Sequence, residues 1–87
     1  MIRYTVLWRT ELINELTNLW LNYPGREQIS NAANRIDAEL MIDAHLKGDL
    51  LRLAERCISH GPLTAYFRVD EADRKVFVVA VHLTESN

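Results

Sequence analysis

Residues 61–83, GPLTAYFRVDEADRKVFVVAVHL, constrain the fold more than any other part of the chain. They read as two strands joined by a turn. Residues 63–69 are rich in aromatic, aliphatic and β-branched side chains. Asp70-Glu71-Ala72-Asp73 is a polar break, and residues 76–83 are apolar on both alternating faces. A strand apolar on both faces needs cover on both. Val76, Val78, Val79 and Val81 are β-branched, which favours a strand over a short buried helix. The pattern predicts a central strand over 76–83, with the upstream helices packed on its sheet.

Upstream, residues 2–8 (IRYTVLW) alternate with period 2. Ile2, Tyr4, Val6 and Trp8 share one face, which predicts a strand. Thr10 is the expected N-cap of a first helix, with Glu11 in its first turn. Leu12, Ile13, Leu16, Leu19, Trp20 and Tyr23 form one helical stripe, and Pro24-Gly25 ends it. A second helix is predicted over 26–44, its buried stripe being Ile29, Ala32, Ala33, Ile36, Leu40 and Ala44. The link between the helices is only a few residues, so they form an antiparallel hairpin.

Residues 50–59 have strand character, best at 56–59. On that reading Arg52, Ala54, Arg56 and Ile58 share a face, and His60-Gly61-Pro62 turns the chain. Strands 63–69 and 76–83 complete a meander. The fold class is α+β, in the order β-α-α-β-β-β. The sheet is curved and mostly antiparallel, and the helical hairpin covers one face. Leu12, Leu16, Leu19, Ile29, Ile36 and Leu40 are expected to bury against Phe77, Val79 and Val81.

Eighty-seven residues make one domain, 1–87. A net charge of -2 gives no global attraction to nucleic acid, though it leaves room for a local basic patch. The single cysteine, Cys57, cannot form an internal disulfide and suits a reducing cytoplasm. Arg3, Arg9 and Glu11 interrupt any N-terminal signal, and no apolar run approaches the ~20 residues of a membrane span. Residues 84–87 are expected to be disordered.

No metal or cofactor motif is present, and His45, His60 and His82 have no neighbouring ligand pattern. No metal and no cofactor are therefore expected. The remaining chemistry is on strands: Thr64, Tyr66 and Arg68 on one face of the third, Val76, Val78, Ala80 and His82 together on the fourth. Arg56, Arg68 and His82 are the candidate catalytic set, a cation for phosphate with a histidine as acid or base. As single side chains, the arginines also fit a solvated face of ion pairs, Tyr66 a packing role and His82 a structural one. Trp8, Leu21 and Leu83 are large apolar residues that the stripes do not clearly bury. They are candidates for binding a partner.

Four segments carry a resemblance to a known family. They are the opening RYTVLW with the Leu16–Trp20 stripe after it, and the second-helix segment REQISNAANRIDAEL. The others are the Gly-Pro-Leu turn entering LTAYFRVDEADRKV, similar to a Gly-x-x-x-x-x-Tyr-x-Val-Asp pattern, and the closing VFVVAVH, similar to a strand ending Val-x-His. Together they resemble the RelE/ParE superfamily, the plasmid-stabilisation toxins of type II toxin–antitoxin systems.

The resemblance implies a small cytoplasmic toxin neutralised by a cognate antitoxin that wraps it with a helix and extended segments. Its targets would be DNA gyrase in one branch and mRNA on the ribosome in the other. The RNA-cutting branch uses an arginine early in the third strand, and an arginine then a tyrosine near the C-terminus. Thr64 stands at the first position, and neither residue follows His82. The expected activity is therefore ParE-like, binding a target. The alternatives are a RelE-like, ribosome-dependent mRNA endonuclease with a variant site, or a non-toxic relic of the fold. A homodimer is the other use of an apolar patch.

Overall fold

The computed structural model describes residues 1–52 and 55–83. Leu53 and Ala54, part of the expected second strand, and the expected disorder at 84–87 lie outside the described residues. The elements are β1 (Thr5–Trp8), α1 (Thr10–Asn22), α2 (Arg26–Leu40), a single 3-10 turn at Ala44–Leu46, β2 (Asp49–Arg52), β3 (Glu55–His60), β4 (Leu63–Asp70) and β5 (Lys75–Leu83). The sheet order is β1-β5-β4-β3-β2. β1 runs parallel to β5, and every other neighbouring pair is antiparallel. This is the expected α+β fold, with β5 inside the sheet and the helical hairpin on one face. The expected second strand is in fact two, β2 and β3, paired antiparallel with a register shift between Leu50 and Arg52.

The core lies between the hairpin and the sheet. Ile29, Ile36, Leu40, Leu63, Phe67, Val76, Val78 and Val81 are fully buried. Each such side chain contributes about 1.5–3 kcal/mol relative to exposure. Leu12, Ile29, Ile36 and Leu40 are buried as their stripe predicts, whereas Leu16 and Leu19 are only half-buried against the core. α1 is the looser helix, burying only Leu12 completely. Its N-cap is Arg9 rather than Thr10, with no side-chain capping bond.

Two face assignments differ from expectation. Val81 is buried, but Phe77 is 39% exposed and Val79 half-buried, while Val76 and Val78 fill the core. The reason is a β-bulge. Tyr66 pairs with Ala80 and Phe67 with Val78, so Val79 is the extra residue. A bulge inverts the alternation beyond it. Val76 and Val78 therefore face the helices, whereas Ala80 and His82 face away, with Val81 inward between them. Arg52 also leaves the face of Arg56 and Ile58, because β2 and β3 are separate antiparallel strands in which Arg52 pairs with Glu55.

α2 ends at Leu40, four residues earlier than expected, because the chain turns to meet the N-terminus. Asp43 adopts a left-handed backbone, φ 51°. Its amide donates to the Ile2 carbonyl, and its Oδ1 accepts from the Ile2 amide, both at 2.7 Å. The Tyr4 amide donates to the Met41 carbonyl at 2.8 Å. Tyr4 is buried, its hydroxyl 2.9 Å from His45 Nδ1.

Trp8 ties β1 to the hairpin: its indole Nε1 donates to Asp37 Oδ1 at 2.8 Å. Hydrogen bonds to charged groups contribute about 1.5–3 kcal/mol. Asp37→Ala should lower stability by about 1–2 kcal/mol, since this bond is only part-buried. Urea denaturation followed by Trp8 fluorescence in a Trp20→Phe background measures it. An unchanged midpoint would show that the bond is solvent-exchanged and contributes nothing.

Candidate functional site

The sheet face away from the helices is open. Pairing across β3, β4 and β5 builds it in rows: Ser59, Thr64 and His82; then Cys57, Tyr66 and Ala80; then Glu55, Arg68 and Phe77. Next to Phe77 in the β1 register stands Leu7, also 39% exposed. Arg52 pairs with Glu55 at the outer side, its Nε 3.4 Å from Oε1. The face thus carries cations, two aromatic rings and a histidine.

Two places on it are concave or ordered. Arg9, Arg68, Asp70, Glu71, Phe77 and Val79 line a groove of about 460 Å³. It pairs an apolar floor with two guanidinium groups and two carboxylates. At the other end, the Tyr66 and His82 rings meet edge to face, with centroids 5.4 Å apart and an interplanar angle of 83°. Ser59 Oγ and Thr64 Oγ1 are bonded at 2.7 Å beside them. An exposed phenylalanine and a half-buried tyrosine on a face that also carries arginines suit stacking on a planar group or a buried contact with a partner protein.

The candidate catalytic residues do not converge. Arg56 lies in register with Phe67, which puts it on the helix-side face. There its Nε donates to the Lys47 carbonyl at 2.7 Å, and a terminal nitrogen reaches the Gly48 carbonyl at 3.5 Å. Arg56 therefore anchors the loop that enters β2. Arg68 and His82 do share the open face. His82 is level with Thr64, four residues from Arg68 along β4, about 13 Å away at ~3.3 Å per residue. Tyr66 and Ala80 stand between them.

The candidate partner residues also divide. Leu21 is 51% exposed, whereas Trp8 and Leu83 are half-buried and packed against the core. Ile13, at 51%, and Trp20, at 37%, add to the exposed apolar surface of α1. Ile13, Leu16, Trp20, Ile29 and Ala33 line a shallow groove of about 350 Å³ between the two helices.

Sequence reasoning missed the Leu7–Phe77 patch and the part of Arg9 in the groove. Only the parallel pairing of β1 with β5 brings these residues together, and no local pattern encodes that pairing. A larger cleft, about 530 Å³, lies between α2 and the β3–β4 turn, lined by Tyr23, Gln28, Asn31, Arg35, His60 and Pro62. His60 Nε2 faces the Glu39 carboxylate there. Among the described residues, no three His, Cys, Asp or Glu side chains cluster as metal ligands, and no helix is long and apolar enough to cross a membrane.

No family model matches the sequence, and no curated protein does. Solved structures do match the fold. The toxin–antitoxin complex RelBE2 from Mycobacterium tuberculosis superposes with a TM-score of 0.75 at 21% identity, covering 95% of this chain and 93% of that one. The free toxin RelE from E. coli, as a double arginine-to-alanine mutant, gives 0.64 at 17% identity, covering 97% and 86%. Over nearly its whole length, the chain has the fold of these two solved structures.

Proposed function

We propose that the protein is the toxin of a type II toxin–antitoxin pair, of the plasmid-stabilisation kind. In this reading it acts in the cytoplasm as ParE-like toxins do, by binding a target, and an antitoxin neutralises it. The fold likeness to a toxin in a toxin–antitoxin complex supports the class. The position of Arg56 carries the choice of binding over cutting. RNA cleavage needs a base for the 2′-hydroxyl, a cation for the phosphate and an acid for the leaving oxygen around one phosphate. Arg56 is spent on two backbone carbonyls of the opposite face, and the backbone positions of Arg68 and His82 are about four strand residues apart, ~13 Å, with Tyr66 and Ala80 between them.

The open face then serves as a docking surface, with Arg68 and Phe77 as anchors of the kind that dominate interfaces. The antitoxin's apolar helix lies along α1 in the groove beside Ile13 and Trp20, and reaches Leu21. Trp8 and Leu83 contribute only their exposed edges, and a second copy on this patch is the competing occupant. The second reading, a ribosome-dependent mRNA endonuclease, draws on the Tyr66–His82 pair, which sets a histidine against an aromatic ring on an exposed face.

Induced expression in a bacterial host tests both. The expected result is growth arrest with intact mRNA by primer extension, relieved by the co-expressed antitoxin. Arg68→Ala with Phe77→Ala should weaken target binding about tenfold or more and restore growth. His82→Ala should leave the arrest nearly unchanged. Codon-periodic mRNA cuts that vanish with His82→Ala would replace the binding reading with the nuclease. Unimpeded growth at full expression would identify a relic.

A further inference from the structure

The outer edge of the sheet is β2, four residues reading Asp-Leu-Leu-Arg, all exposed. Among the described residues no strand pairs with its outer side. Natural edge strands are usually blunted by charge, Pro or a bulge, because an unpaired ladder recruits another chain. β2 has its register shift, but it also presents Leu50, 59% exposed, and Leu51, 49% exposed, with Leu46 at 69% just before it. Two large apolar side chains on a short open edge, with a third in the turn before it, need an occupant.

The order of charges identifies one. An antiparallel pairing of β2 with a second β2 about a two-fold axis between Leu50 and Leu51 sets Asp49 of one copy opposite Arg52 of the other, twice. Leu50 of each copy then meets Leu51 of the other. Asp49 pairs with Cys57 and Arg52 with Glu55, both residues of the open face, so the two charged side chains emerge on the same side. Directly opposed residues of antiparallel strands point to the same face, so the opposite charges meet. The Arg52 side chain is 79% exposed and, among the described residues, meets the Glu55 carboxylate at 3.4 Å.

We propose that β2 is a self-complementary edge through which two copies of this chain associate as an isologous dimer. The sheet runs on from one subunit to the other, and both open faces look the same way. The proposal is independent of the toxin reading, since it uses none of the residues given to the target or the antitoxin. Four residues a side bury less than the roughly 1,200 Å² of a standard stable interface, so the dimer is weak and forms with rising concentration.

Charge exchange tests it. Sedimentation equilibrium of the full chain should show mass rising from 10.1 kDa toward twice that value as concentration reaches the millimolar range. Asp49→Arg and Arg52→Asp each set like charges opposite one another and should raise the dimer dissociation constant about tenfold or more. An equimolar mixture of the two variants restores both opposite-charge contacts and should dimerise at least as well as the parent. Circular dichroism of each variant checks that the fold is kept. A parent that stays at 10.1 kDa throughout would overturn the proposal. So would a dimer indifferent to both reversals, which would belong to another surface such as α1, or a mixture no more associated than its components.

Discussion

Gly48→Ala lowers the melting temperature by more than about 12 °C, the shift for ~3 kcal/mol in a domain of this size. Gly48 enters β2 with φ +64°, a region in which an L residue costs about 1–2 kcal/mol. A Cβ there would also overlap the Cys57 carbonyl oxygen and stand 2.8 Å from the carbonyl carbon. That carbonyl is β3 backbone, so the strand itself must move. Gly61 is the control: its φ is +52°, but a Cβ there meets only the Ala32 Cβ, at an ordinary 3.6 Å. Gly61→Ala should therefore cost only the backbone component, about 1–2 kcal/mol. Thermal melts of the two variants separate the contributions. Equal losses would place the whole cost in φ and remove the steric argument.

Phe67→Ala should cost about 3–5 kcal/mol. Phe67 is fully buried and in register with Arg56 on β3 and Val78 on β5. The total stability of such a domain is about 4–13 kcal/mol at ~0.05–0.15 kcal/mol per residue, so this single loss removes from about a quarter to all of it. Phe77→Ala, one pleat away on the open face and 39% exposed, should cost less than about 1 kcal/mol. Guanidinium unfolding of both variants reads the difference. A Phe77→Ala loss as large as that of Phe67→Ala would mean that the bulge at Val79 is misplaced and the faces of β5 reversed.

These two phenylalanines also show how far the sequence could be read. The order of elements was legible because each has a local signature: period 2 in β1 and β4, a 3.6-residue stripe in each helix, Pro24-Gly25 between them. The central place of β5 followed from its apolar residues on both faces. Its inward residues did not follow, because one extra residue at Val79 inverts a period-2 assignment, and no side chain there announces a bulge. Arg52 changes face for a different reason. A continuous strand through residues 50–59 keeps Arg52 and Arg56 on one face, but β2 and β3 are antiparallel partners in which Arg52 pairs with Glu55, so Arg52 stands on the face opposite Arg56. Thr64, Tyr66 and Arg68 were grouped correctly, because β4 is regular on either side of the single bulge. The contact between Tyr66 and His82 depends on inter-strand register and needed the structure.

The parallel pairing of β1 with β5 has a consequence in time. Thr5 meets Lys75, 70 residues later, by subtraction of their numbers. β1 therefore waits for β5 before its ladder forms, and the loop closure precedes the contacts that reward it. A nascent chain without β5 lacks Phe77, His82 and the partner of Leu7, so it has no complete open face. Whatever that face does begins only after β5 has been made, and any partner that recognises the folded sheet meets it with β5 already in place.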